Sequence, residues 1–155
     1  SYPNGAHVSE VVIDPETGVV TVDRYTVVDD FGNLINPMLA EGQVHGGVVQ
    51  GIGQAIQEHV VYDEDGQLLT ASFMDYAIPR AADVPFVSFN SEPVPSTANL
   101  MGMKGCGEAG TVGALAAVSN AVQDALWERG VRQADMPFTP HKVWALLNDS
   151  AIAAE

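Results

Sequence analysis

Cysteine is nearly missing: Cys106 is the only one in 155 residues. One thiol makes no internal disulfide, and alone it anchors neither a zinc ion nor an iron–sulfur cluster. A reducing, cytoplasmic setting is therefore expected. Bases are scarce too: six Lys and Arg stand against 20 Asp and Glu, a formal charge of −14. Arg24, Arg80, Lys104, Arg129, Arg132 and Lys142 are scattered, whereas a nucleic-acid or anionic-membrane surface needs them clustered. Neither is expected as a partner, and the acidity itself reads as solubility. No apolar run approaches the ~18 residues of a membrane span. The opening SYPNGAHVSE has neither the basic start nor the apolar stretch of a signal peptide. With no initiator Met and a strand-like pattern from the outset, the chain is expected to be a fragment or a processed product.

What is present is enough for a core: hydrophobic residues make up 46% and charged residues 17%. Residues 1–150 read as one domain segment and 151–155 as a frayed tail. Alternating β-branched residues over 8–30, broken at DPETG, predict a β-hairpin. A helix follows over 38–61, with Val44, Val48, Ile52, Ala55, Ile56 and Val60 as its apolar stripe. Five glycines in it (Gly42, Gly46, Gly47, Gly51 and Gly53) each cost roughly 1 kcal/mol relative to Ala. Close approach by another element or a ligand is the expected compensation. A second strand pair is predicted around the Asp63–Gly66 turn, and a short strand near Phe86–Asn90. A second long helix covers 109–129, its buried face drawn from Val112, Leu115, Ala116, Val122 and Leu126 and its stop from Gly130. A short last helix starts at Thr139-Pro140 and runs through Val143, Leu146 and Leu147. The class is α+β, with hairpins packed on two long helices and a short C-terminal one. Strands and helices do not alternate as a doubly wound sheet requires.

The stretch from Lys104 to Thr111, KGCGEAGT, satisfies G-x-G-x-x-G through Gly105, Gly107 and Gly110. A dinucleotide-binding loop needs an apolar strand before it and an acid on a second strand after it. Here STANLMGM precedes, Asp124 falls inside a helix, and Glu108 would repel a pyrophosphate. The loop reads better as a frame for Glu108. A helix start favours its ionised form and burial raises its pKa, which together poise a general base. On the loop alone, an ordinary first-turn acid complementing the helix dipole is the more economical reading. Cys106 at the same helix start is a rival nucleophile if His7, His45, His59 or His141 comes near. Free cysteines more often simply pack. Gln43, in Gly42-Gln43-Val44-His45-Gly46-Gly47, is placed to hydrogen-bond a heterocyclic or anionic cofactor. The histidines lack the spacing of metal ligands.

Four ordered stretches resemble one family: PNGAHVSEVVIDPETG (3–18), DDFGNLINPMLAEGQVHGGVVQGIGQA (29–55), VYDEDGQLLTASFMDYAIPRA (61–81) and KGCGEAGTVGA (104–114), with DMPFTPHKVW (135–144) as a further match. It is the family of xanthine dehydrogenase, aldehyde oxidase and aerobic carbon monoxide dehydrogenase, the molybdenum hydroxylases. The chain looks like the C-terminal part of their molybdopterin-binding large subunit. The resemblance implies that Glu108 is the catalytic base, which helps an oxygen nucleophile attack an electron-poor carbon or supports oxidation of carbon monoxide. It implies that Gly42 and Gln43 contact the pterin and that Lys104, Gly105, Cys106 and Gly107 lie beside the metal. No protein side chain here is implied as a metal ligand, because the dithiolene of molybdopterin holds the metal. The implied cofactor is molybdenum-molybdopterin, in a dinucleotide form. FAD sits on a medium subunit and 2Fe-2S clusters on a small one. Cys106 stands where relatives more often carry a small apolar residue.

Full subunits of this family are several times longer, so the isolated chain is expected to bind no cofactor tightly and to be inactive. Its partners would be the remainder of the large subunit, the two other subunits and a small-molecule substrate, with self-association through uncovered apolar patches. Two alternatives stand beside this reading: a non-catalytic binding or assembly module, and a thiol enzyme using Cys106. The leading reading requires Glu108 and Gln43 to line one concavity.

Overall fold

A computed structural model describes residues 1–148; the predicted tail at 151–155 lies outside them. Strand β1 (Asn4–Ile13) and strand β2 (Val20–Asp30) form the expected hairpin, antiparallel from Asn4↔Asp30 to Ile13↔Val20. The connecting turn depends on Gly18, whose φ of +73° suits a residue without Cβ. A Cβ there would also lie 2.1 Å from the Pro140 carbonyl. Residue pairing slips between Glu10 and Val11: Glu10 faces Arg24 but Val11 faces Val22, leaving Asp23 as the extra residue of a bulge. The slip changes which residues of β2 face inward. Before it Val20 and Val22 are buried, and after it Tyr25, Val27 and Asp29 are.

Helix α1 (Pro37–Ile56) begins where the Asn36-Pro37 pair breaks the chain. Asn36 is its N-cap, accepting from the Leu39 amide at 3.1 Å, and Pro37 takes the first turn, where no N–H is needed. The helix ends before Val60, which lies outside it and is exposed. The predicted stripe is otherwise buried: Val44, Val48, Ile52, Ala55 and Ile56.

Strand β3 (Val87–Ser91) adds parallel to β2, giving the order β1-β2-β3. The predicted strand pair around Asp63–Gly66 is not formed. Only a single bridge joins Tyr62 and Leu68, and the turn is held by Asp63 Oδ1, which accepts from the Asp65 and Gln67 amides. Val60, Tyr62 and Leu69 stay exposed, so the segment has no core face to pack on and extends no ladder.

Helix α2 (Ala109–Trp127) and helix α3 (Pro140–Asn148) complete the fold. Helix α2 buries Gly110, Ala114, Val118, Val122 and Leu126, a four-residue repeat. Val112 and Ala116, expected in the core, are exposed, and Leu115 is half-buried. The reason is the closeness of α1. A Cβ on Gly51 would lie 2.6 Å from the Ala114 Cβ, and one on Gly47 would lie 2.9 Å from the Thr111 amide nitrogen. Small residues face small residues there, so the bulkier Val112 turns outward. The Thr111 hydroxyl, donating to the Gly47 carbonyl at 3.0 Å, ties the two helices further. Gly47 and Gly51 thus exchange helix propensity for close packing, and Gly53 does so against Pro79. Gly42 and Gly46 face open space.

Candidate active site

The loop before α2 is clamped to the end of β2. Backbone bonds run from the Lys104 amide to the Phe31 carbonyl (2.8 Å) and from the Asn33 amide to the Gly102 carbonyl (3.0 Å). The Lys104 ammonium pairs with the Asp30 carboxylate. Asp30 also accepts from the Gly32 and Val94 amides at 2.8 and 2.9 Å. Lys104, followed by these amides, holds the Asp30 carboxyl down at about 2.

Beyond this clamp, Gly105 and Gly107 have nothing within 4 Å of where a Cβ would stand. Glu108 is the N-cap residue of α2, exposed, and its side chain makes no capping bond. Its carboxylate is therefore not spent on its own helix.

Gly105, Gly107 and Glu108 line a cleft of about 490 Å³. Ala109, Val112 and Gly113 of α2 continue the wall, and residues 1–5 with His7 and Asp29 form the opposite side. Glycine on the loop side lets a ligand approach the backbone.

The cleft also holds an arrangement that sequence reasoning missed. His7 lies across the ladder from Val27, within reach of that residue's inward neighbours Tyr25 and Asp29. Its Nδ1 is 2.7 Å from the Tyr25 hydroxyl and its Nε2 is 3.3 Å from Asp29 Oδ1. A carboxylate only accepts, so Nε2 carries the His7 proton and Nδ1 accepts from the tyrosine. The His7 and Asp29 side chains are 7% and 2% exposed. Burial, and then the charge of Asp29, push the Tyr25 phenol up. The odd-numbered inward positions of β1 signal His7. Nothing in the sequence signals Asp29, because the bulge that turns it inward is not a sequence motif.

The remaining expected residues lie elsewhere. Gln43 and Gly42 are exposed on α1 and neither lines this cleft, so the cleft that holds Glu108 is not the concavity expected to be shared with Gln43. Lys104 is engaged by Asp30 rather than facing the cleft. Cys106 is half-buried against the hydrophobic core and does not line the cleft.

The molybdopterin cofactor-binding domain model matches residues 1–85, which include β1, β2, Gly42 and Gln43. The chain is 44% identical to the nicotine 6-hydroxylase large subunit of Paenarthrobacter nicotinovorans, over 92% of this chain and 17% of that protein. It is 37% identical to the carbon monoxide dehydrogenase large chain of Hydrogenophaga pseudoflava, over 99% and 19% respectively. The structure of quinoline 2-oxidoreductase from Pseudomonas putida 86 superposes with a TM-score of 0.91 at 41% identity, over 95% of this chain and 19% of that one. The chain belongs to the molybdopterin cofactor-binding domain family of molybdenum hydroxylase large subunits. It spans less than a fifth of the length of these relatives.

Proposed function

We propose that this chain supplies Glu108 as the general base of a molybdenum hydroxylase, acting in the complete enzyme on an electron-poor carbon of an aldehyde, purine or aromatic N-heterocycle, or on carbon monoxide. The observation that carries the reading is the free carboxylate of Glu108 at a glycine-framed cleft, on a chain of this family. The open sides of Gly105 and Gly107 fit a bulky cofactor brought close to the backbone. When bound, molybdenum-molybdopterin in its dinucleotide form supplies the two-electron redox chemistry. Glu108 accepts the proton from the attacking oxygen nucleophile, and the Asp30–Lys104 clamp fixes the loop that carries it. Backbone groups of Gly105 and Gly107 and, once the rest of the subunit is in place, Gly42 and Gln43 hold the cofactor.

Electrons leave through 2Fe-2S clusters and FAD on partner subunits, in a cytoplasmic complex. The remainder of the large subunit covers side chains such as Met38, Leu39, Phe73, Met74 and Leu100, all exposed here. Without it the chain is inactive and prone to self-association. Among the described residues, no helix is long and apolar enough to cross a membrane.

The alternative of a thiol enzyme is disfavoured because Cys106 packs on the core, and that of a non-catalytic module because Glu108 is present and free. The test is a pair of variants of the complete enzyme. Glu108→Gln is expected to lose at least ~100-fold in kcat and Cys106→Ala to keep most activity; the reverse pattern overturns the reading.

A further inference from the structure

Asp29 Oδ1 is engaged by His7, but Oδ2 is buried and has no hydrogen-bond partner among the described residues. A carboxylate oxygen taken out of water without a donor is costly. The surroundings are built to keep it. A Cβ on Gly5 would lie 1.8 Å from Asp29 Oδ1, and one on Gly113 would lie 2.4 Å from the His7 ring. Glycine on both sides leaves a slot just wide enough for the His7–Asp29 pair. The β2 bulge turns Asp29 into that slot, and Tyr25 holds the imidazole from behind. Asp29 and Glu108 both line the cleft, and no Lys or Arg side chain among the described residues does. Around Asp29 the wall therefore favours a donor-bearing neutral or cationic group.

We propose that Asp29 Oδ2 is the acceptor of a ligand subsite, taking one N–H or O–H donor from a neutral or cationic group bound in the cleft beside Glu108. The inference rests on the reading of this cleft as the place where cofactor and substrate meet the chain. The donor belongs either to the cofactor or to the substrate, and His7 and Tyr25 are positioning residues that hold the acceptor in place.

The experiment uses the complete enzyme carrying Asp29→Ala, Asp29→Asn or Tyr25→Phe. Molybdenum and pterin content, thermal midpoint and calorimetric binding of benzamidinium, a cationic N–H donor, are measured on each. In the Asp29 variants, a drop of about 10-fold or more in cofactor content at an unchanged midpoint assigns the donor to the cofactor. Normal cofactor content with benzamidinium bound about 10-fold more weakly assigns it to the substrate. Tyr25→Phe, which removes the hydroxyl that holds the His7 ring behind Asp29, is expected to shift the same quantity in the same direction by a smaller factor than the Asp29 variants. If Asp29→Ala does not assemble, the isosteric Asp29→Asn carries the test. Cofactor content and benzamidinium affinity both within twofold of wild type would overturn the subsite. None of these readouts is turnover. Failure here leaves Glu108 as the base untouched, and an active Glu108→Gln enzyme would overturn that role without altering these results.

Discussion

Gly110 of α2 lies so close to Val44 of α1 that a Cβ on the glycine would stand 2.6 Å from the Val44 carbonyl oxygen. Glu108 is two residues before that contact, so the position of the candidate base is set by a helix crossing that only glycine permits. Gly110→Ala is expected to push the start of α2 outward. Overpacking of this kind costs about 1–3 kcal/mol, read as a lower urea midpoint, and the complete enzyme should lose kcat as well. Unchanged stability and unchanged kcat would show that the crossing is not tight.

The Asp30–Lys104 clamp has a pH signature. Asp30 is held at about 2, below its usual 3.8. A carboxyl depressed on folding contributes stability above its unfolded pKa and loses it as pH falls through the folded one. Wild type and Asp30→Asn should therefore differ most in urea midpoint above pH ~4, and the gap should close towards pH ~2. A gap that stays constant from pH 5 to 2 would contradict the pairing.

Gly113→Ala places a methyl group where the His7 ring lies. The ring must move, which breaks its bonds to Tyr25 and Asp29 and leaves Asp29 with both oxygens unpaired. A loss of roughly 1–3 kcal/mol is expected from the unsatisfied group. The Tyr25 phenol, raised by burial and then by Asp29, should also titrate differently in a spectrophotometric titration. A neutral variant with an unaltered tyrosine titration would mean that the slot is looser than the glycine contacts imply.

Asn36→Ala removes the side-chain cap of α1 and is expected to lower stability by ~1 kcal/mol in chemical denaturation. Asn36→Ser, which keeps a capping oxygen, should recover most of it. Equal losses in the two variants would point away from the cap.

Much of this was legible because local rules and tertiary packing agree. The hairpin, the long helix that follows it and the loop carrying Glu108 all follow from short patterns that the structure keeps. The buried face of α2 was not, because hydrophobic size favours Val112 as core while contact with α1 demands Gly110 and Ala114 there. The 60–70 segment has strand composition but no surface to pack on. Glu108, Gly105 and Gly107 were singled out from sequence, and all three line the cleft. Asp29 was not, because the β2 bulge that reverses inward and outward residues has no mark in the sequence. Gln43, also singled out from sequence, is exposed and does not line the cleft.

The most direct measurement is the rate at which a reducing substrate, mixed anaerobically with the complete enzyme, reduces it in a single turnover, normalised to molybdenum content. If Glu108 accepts the proton in the chemical step, Glu108→Gln keeps its metal and its substrate affinity while this rate falls at least ~100-fold. A variant that is fully metallated and reduced at the wild-type rate would contradict the assignment of the base.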